Sequence, residues 1–270
     1  MPPNNGLILL RGGGDLASGV ALRLNRVGLK LVISELAQPL AVRRAVSFGE
    51  AVYEGRHSVE GIQSRRVDQE QILAALDAGE IPVIVDPDAQ ILLSSFLFSV
   101  LVDARLIKQP PLPLPSTVPL HIGLGPGFQA GSNCHAVIET RRSHTLGRVY
   151  WQGFAQPDSG QPEGDPRRVL RAPEDGIFTA RKKIGEHCET GEEIGIISNQ
   201  YPVNSSLRGV LRGIIRDGLH VVKGLKIGDV DPRDDASACF LVSDKALAIG
   251  GGVLEAILSQ EQIRKQLWRE

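Results

Sequence analysis

The sequence has no excess of either charge. Thirty Lys and Arg stand against 31 Asp and Glu, a formal net charge of −1. That balance points to neither a nucleic acid nor an anionic membrane as partner. Aromatic residues make up only 4% of the chain, too few for a surface on which single-stranded bases stack. Long apolar runs are missing too. The longest, "AQILLSSFLFSVLVDARLI", is interrupted by serines and closes on Asp103 and Arg105, too short and too polar to span a bilayer. The opening "MPPNNG" has neither the charged region nor the cleavage site of a secretory signal. Cysteine is scarce: Cys134, Cys188 and Cys239 are far apart, odd in number and without a CxxC. That usage fits a reducing cytoplasm. G-x-S-x-G, H-E-x-x-H and Walker A motifs are absent, and no nucleophile stands beside an obvious base, so whether the chain is an enzyme stays open.

What is present is ordinary globular material, 42% hydrophobic over 270 residues, enough for one large domain or two modest ones. In the first hundred residues, apolar β-rich runs alternate with helical spacing. Leu7 to Leu10, Leu31 to Ser34, Ile81 to Val85 and Ser99 to Val102 read as strands. Asp15 to Val27 carries Leu16, Val20, Leu24 and Val27 on one helical face, and Asp68 to Ala78 reads as a helix capped by Asp68 and ended near Gly79. Continuous apolar strands alternating with helices predict a parallel sheet covered on both faces. The fold class expected is α/β, with a Rossmann-like parallel sheet domain over 1–155. A proline-rich connector, 108–119, lies within it.

The first strand runs into "RGGGDLA". Gly12, Gly14 and Ala17 supply G-x-G-x-x-A there, with Gly13 between the two glycines. The first glycine permits a tight turn, the second lets a pyrophosphate approach the backbone, and the small third residue lets the helix close on the strand. Glu35 ends the next strand, 21 residues after Gly14, where an acid can hold the ribose hydroxyls of NAD. Asp15 opposes this reading. A helix N-terminus carries about half a positive charge, which Asp15 can satisfy itself while repelling phosphate. Dinucleotide binding and a self-capped frame without ligand both remain open.

After a second loop, "AQPDSGQPEGDP", the chain repeats itself. Gly176, Gly185, Gly191 and Gly195 stand over Gly209, Gly218, Gly224 and Gly228, and His187 over His220, at a constant offset of 33 residues. One β unit used twice is expected. The glycine rhythm resembles the biotinyl/lipoyl carrier type, so a small all-β, barrel-sandwich-hybrid-like domain is expected over 167–233. The hairpin that would present the modified lysine, "SNQYPVNSS", contains none, which argues against a swinging arm. Residues 234–270 are expected to be helical and to pack on the α/β domain. Three glycines, Gly250 to Gly252, each disfavour helix by nearly 1 kcal/mol and predict a break before Val253.

Several polar clusters could bind a ligand. Arg43 and Arg44 suit bidentate binding of phosphate or carboxylate, or internal ion pairs with neighbouring glutamates. His135, Glu139, Arg141 and His144 form the densest polar stretch and could build an anion or cofactor pocket. Their spacing does not define a metal site, and no metal is assigned. Asp229, Asp231 and Arg233 read as an ion-pair bridge from the β unit to the α/β domain.

Taken together, "RGGGDLASGVALRL", "SELAQPLAVRRAVSFGEAVYEG", "GLGPGFQAG", "HAVIETRRSHTLGRV", "GVLRGIIRDG", "KIGDVDPR" and "SDKALAIGGGVLEAIL" resemble the accessory protein of the selenium-dependent molybdenum hydroxylase system. The resemblance covers nearly the whole chain, with Ser143 standing where the family block is expected to have glycine. It implies a cytoplasmic factor that helps mature or insert the molybdenum cofactor, distantly akin to xanthine dehydrogenase accessory factors. The implied partner is a molybdenum hydroxylase client. A homodimer stays open, and neither nucleic acid nor membrane is implied. The candidate cofactors are a molybdopterin dinucleotide and NAD(P). Candidate binding residues are Gly12, Gly13, Gly14, Asp15, Ala17, Glu35, Arg43, Arg44, His135, Glu139, Arg141 and His144; no catalytic set is implied. An NAD(P)-dependent oxidoreductase and a ligand-free scaffold are the two other readings.

Overall fold

The computed structural model describes residues 6–111, 118–161 and 164–268. Residues 112–117 of the proline-rich connector and 162–163 of the second loop lie outside the described residues. The chain forms two compact units. The first comprises Met1–Pro39, Phe48–Asp158 and Val242–Glu270, and the second Leu40–Ser47 and Ser159–Leu241.

The first unit contains the strands β1 (Leu7–Arg11), β2 (Lys30–Glu35), β3 (Arg56–Val59), β4 (Ile62–Arg66), β5 (Ile81–Val85), β6 (Phe98–Asp103), β7 (Leu120–Leu124), β8 (Gln129–Ala130), β9 (Ala136–Ile138), β10 (Val149–Tyr150) and β11 (Gly153–Phe154). Its helices are α1 (Asp15–Arg26), α2 (Ala51–Glu54), α3 (Ile72–Asp77), α4 (Gln90–Ser95), α5 (Asp244–Leu258) and α6 (Glu261–Leu267). Nine strands form one sheet in the order β10-β9-β7-β6-β1-β2-β5-β4-β3. The inner strands are parallel, whereas β3 and β10 pair antiparallel at the two edges. β8 and β11 form a separate antiparallel pair.

The expected fold class is therefore corrected. In place of a parallel Rossmann-like sheet, the unit has a mixed sheet of nine strands, and three of its helices are only four to six residues long. Part of the cause is local. "RHSVEGIQSRR" folds into the β3–β4 hairpin because Glu60 and Gly61 both take positive φ, 47° and 84°, the pattern of a two-residue turn matched to strand twist. The hairpin is charged and half exposed, so it gave no apolar run to read. The helix expected at Asp68 to Ala78 begins as a short 3-10 turn, Gln69–Gln71, closed by a reciprocal Asp68–Gln71 capping box.

Leu9, Val32 and Leu101 of the central strands pack with Ile72, Ala75, Ala89 and Leu92 from α3, α4 and the loop before α4. Each fully buried aliphatic side chain there contributes about 1.5–3 kcal/mol. The long helices α1 and α5 meet through glycine. A Cβ on Gly19 would lie 2.5 Å from the Ala246 carbonyl oxygen, one on Gly250 2.6 Å from the Gly19 carbonyl, and one on Gly252 2.1 Å from the Gly147 carbonyl. The predicted break at Gly250–Gly252 is absent, and α5 runs unbroken for 15 residues. The weak helix propensity of these glycines is offset by the backbone approach they allow.

The second unit contains β12 (Val169–Arg171), β13 (Gly176–Ala180), β14 (His187–Cys188), β15 (Glu193–Ile197), β16 (Tyr201–Asn204), β17 (Gly209–Ile214), β18 (His220–Val221) and β19 (Lys226–Asp231). They form two four-stranded sheets, β12-β19-β17-β14 and β16-β15-β13-β18. The 33-residue offset converts one sheet into the other, strand for strand, so each sheet holds strands from both copies. The matched glycines share their conformations: Gly176 and Gly209 at φ 149° and 157°, Gly185 and Gly218 at 94° and 81°, Gly191 and Gly224 at 84° and 81°. Turn hydrogen bonds repeat as well, with the Gly185 amide on the Leu211 carbonyl and the Gly218 amide on that of Phe178. The expectation of a barrel-sandwich-hybrid-like domain confined to 167–233 gives way to this pair of strand-exchanged sheets. The unit also takes in Leu40–Ser47 from early in the chain and ends at Leu241. The C-terminal helices belong to the first unit from Val242 onward, so the expected boundary at 234 moves by several residues.

Replacing Gly19 with Ala is expected to cost about 1–3 kcal/mol through overpacking. Gly251→Ala, where no atom lies within 4 Å of the new Cβ, should stabilise by up to about 1 kcal/mol. Urea unfolding of both variants checks the pair.

Candidate functional site

The strand order makes the carboxyl edge of the parallel strands the place to look. The sheet grows from β1 to β2 and onward on one side, and from β6 to β7 and β9 on the other. The direction of winding thus reverses between β1 and β6, and open α/β sheets bind ligands in the crevice at such a point. Arg11 and Asp103 are the last residues of these two strands and stand opposite each other in register.

The glycine turn leaves β1 at this edge. Gly12 has φ +93°, and its Cβ would meet the backbone of Ala104 and Arg105 at 3.6–3.7 Å, so the turn lies against the loop after β6. A Cβ on Gly13 would come within 2.7 Å of the Gly49 amide nitrogen. Gly14 is the N-cap of α1, lacks any side-chain cap bond, and has no atom other than those of its chain neighbours within 4 Å of the space its Cβ would take. Ala17 is 1% exposed and serves helix–strand closure.

Glu35 reaches the turn but spends itself there. One carboxylate oxygen accepts the Gly13 amide at 2.8 Å and the other the Leu36 amide at 2.5 Å. Burial raises its pKa above the ordinary carboxylate range, and the two amide bonds oppose that rise. The Gly49 amide donates to the Gly13 carbonyl at 2.9 Å. The Ser18 hydroxyl donates to the same carbonyl at 3.3 Å and accepts the Phe48 amide at 2.8 Å. The turn is therefore filled on the Gly13 side, while beyond its chain neighbours nothing packs into the Gly14 Cβ space. Glu35 holds the protein's own backbone where the sequence suggested a ribose.

Three residues of this edge escaped the sequence reading as a group. Asp103, 1% exposed, accepts Arg105 through Nε at 2.9 Å and Nη2 at 2.6 Å, and accepts Arg11 Nη1 at 3.4 Å. Arg11 Nη2 also donates to the Pro87 carbonyl at 3.1 Å. The signal was present as two charged residues closing otherwise apolar strands, but their meeting depends on strand order.

His121 on β7 is 7% exposed and lies edge-on to Phe128, with ring centroids 5.9 Å apart. Burial pushes its pKa down to about 4. Its backbone amide donates to His135 Nδ1 at 2.9 Å, which leaves His135 its proton on Nε2 when neutral. Glu139 is fully buried and accepts the amides of Arg141 and Gln156, each at 2.8 Å. Arg141 and His144 are exposed. The expected four-residue pocket is thus resolved into a buried backbone latch, Glu139, with Arg141 joined to it by its backbone, and a histidine, His135, joined to β7. Ser143 lacks a positive φ, so serine in place of glycine costs the backbone nothing.

Arg43 and Arg44 belong to the second unit. Arg43 donates to the carbonyls of Ala238 and Leu241, and Arg44 to that of Ile214. Asp229 and Asp231 likewise pair inside that unit, with Arg168, Arg212 and Arg233, so the expected bridge to the α/β domain is corrected to an internal network. All three cysteines are buried and unpaired, and burial pushes the Cys134 thiol up to about 12. Among the described residues, no group of three or more His, Cys, Asp or Glu could hold a metal ion. No described helix is long and apolar enough to cross a membrane.

Because folded His121 holds its proton only near pH 4 against 6.5 for the free side chain, the folded state binds fewer protons between these values. Stability should fall as pH drops from about 6.5 toward 4. His121→Gln should remove that component, read as the difference between wild-type and variant unfolding free energies across this window.

No protein-family model matches the chain. A protein from Escherichia coli K12, described as uncharacterized protein YqeB, is 44% identical over 262 residues. The match takes in 95% of this chain and 48% of that protein, so the chain spans about half the length of the curated relative it matches. Two solved structures overlap loosely. The ectoine utilization protein EutE (DoeB) from Ruegeria pomeroyi, in its apo form, is 10% identical with a TM-score of 0.26, covering 84% of this chain and 86% of that one. A succinylglutamate desuccinylase/aspartoacylase from Rhodobacter sphaeroides is 12% identical with a TM-score of 0.27, covering 84% and 85%. Overlap this loose leaves the strand order above as the description of the fold.

Proposed function

We propose that the chain is a cytoplasmic accessory factor of the selenium-dependent molybdenum hydroxylase system, binding a phosphate-bearing cofactor at the glycine turn. The system is suggested by the sequence blocks, which resemble that family along nearly the whole chain. The binding role rests on one observation. Gly14 opens a 12-residue helix with no side-chain cap bond and, beyond its chain neighbours, no atom in its Cβ space, at the carboxyl edge of parallel strands. Backbone amides of such a first turn have no intrahelical partner and suit an anion. The cofactor would be a molybdopterin dinucleotide or NAD(P), and a hydroxylase client would receive or require it. Glu35 is occupied by amides, so it would shape the turn and leave ribose recognition to other groups. Asp15 stands in the first turn and works against phosphate.

Native mass spectrometry of protein purified from a host that makes molybdenum cofactor tests this reading. A bound pterin dinucleotide or NAD(P) supports the binding role, and substrate turnover with hydride transfer moves the assignment to redox chemistry. A clean apo mass, together with no uptake of either cofactor in solution, leaves a scaffold. Gly14→Asp should melt as high as wild type or higher, since aspartate is a good N-cap, yet lose the cofactor. Asp15→Asn should tighten it.

A further inference from the structure

We infer that the crevice between β1 and β6 is an anion-binding site in which Arg105, held in place by Asp103, and the buried Arg11 clasp the charged group of the ligand. The inference rests on the phosphate-bearing cofactor proposed above and names the side chains that meet its anion.

Arg11 is 4% exposed, and its Nε has no hydrogen-bond partner among the described residues. A buried guanidinium is ordinarily fully bonded, because a buried donor left without an acceptor is costly. Its contact with Asp103 is long, 3.4 Å, because that carboxylate makes its short bonds to Arg105. Arg11 therefore keeps charge and a donor that the protein does not use. Burial weakens its hold on the proton, with Asp103, Asp86 and Asp88 acting to restore it and Arg105 adding to the loss. An anion arriving in the crevice would add to that restoring field.

Arg105 is complementary. Its side chain is 31% exposed, and the Asp103 carboxylate fixes its Nε and Nη2 edge. Nη1 lies outside that pair and has no bond among the described residues. A planar fork held on one edge is pre-organised to present its other donors to a phosphate or carboxylate. Gly12 sits against the backbone of Ala104 and Arg105, so the loop that carries the clamp lies beside the turn that opens α1, whose first turn also holds Asp15. Asp86 spends one oxygen on the Leu92 amide. Asp88, exposed, acts on both arginines. Asp103 is a positioning residue here; Arg105 and Arg11 are the binding groups.

Calorimetric titration of the full chain with ADP, inorganic pyrophosphate and adenosine tests the assignment, using wild type, Arg105→Ala, Arg105→Lys and Gly14→Asp. Thermal melting of each variant controls for folding, since removing Arg105 leaves the buried Asp103 with less compensation, whereas lysine keeps a cation there. Wild type should bind ADP and pyrophosphate in preference to adenosine. Arg105→Ala should lower that preference about tenfold or more, the ordinary worth of a charged hydrogen bond, and Arg105→Lys should recover part of it. If both Arg105 variants bind the anions as wild type does while Gly14→Asp loses them, the anion sits on the helix alone. This inference then falls and the proposed function stands. If wild type binds neither ADP nor pyrophosphate, both fall together.

Discussion

Glu35 is buried at the end of β2 and bonds two backbone amides, those of Gly13 and Leu36. A carboxylate taken out of water needs such partners, and here they are the turn's own N–H groups. That acceptance holds the glycine turn in one shape, seats Gly49 against Gly13, and sets where α1 begins. It also leaves Gly14 as the open part of the turn. The same device recurs along the sheet edge. Glu139 accepts the amides of Arg141 and Gln156, Asp86 accepts that of Leu92, and Asp103 accepts that of Arg105. Buried acids thus tie down loops at the carboxyl ends of four strands, beside the apolar packing of residues such as Phe128 and Ala89.

This arrangement separates residues that frame a site from residues free to use it. Glu35 and Glu139 looked like ligand groups because acids at strand ends often are. Buried and doubly bonded to amides, they are frame. Neither Arg11 nor Arg105 carries a local signal that the two meet at one carboxylate. The incomplete compensation of Arg11 and the one-edged fixation of Arg105 set them apart.

The second unit shows how a duplicated sequence can diverge on a shared backbone. The glycines that fix its turns match across the repeat in identity and in φ, because positive φ leaves few other residues available. Most side chains between them differ, although His187 and His220 match. Asp229 sits among Arg168, Arg212 and Lys226, whereas the equivalents of Arg212 and Asp229 one repeat earlier are Thr179 and Ile196. Backbone geometry is shared by the two copies, while each carries its own ion pairs: Arg181–Glu193 and Lys182–Glu192 in the first, Arg212–Asp229 in the second.

The sequence by itself determined the local elements: the strand–glycine–helix–strand start, the capped helix after Asp68, and the 33-residue β repeat. Each depends on neighbours along the chain, through hydrophobic period, capping residues or glycine φ. Only tertiary structure decided the rest. The edge strands β3 and β10 carry little apolar signal, so the mixed sheet was invisible beforehand. Gly250–Gly252 read as helix breakers because propensity counts the cost of glycine and not the close approach to Gly19 and Gly147 that offsets it. Leu40–Ser47 joins a unit whose remainder begins more than a hundred residues later, which no local pattern records. The pairing of Arg11 with Asp103, the carboxylate that also holds Arg105, likewise required β6 to return beside β1, a choice made by the packing of the whole sheet.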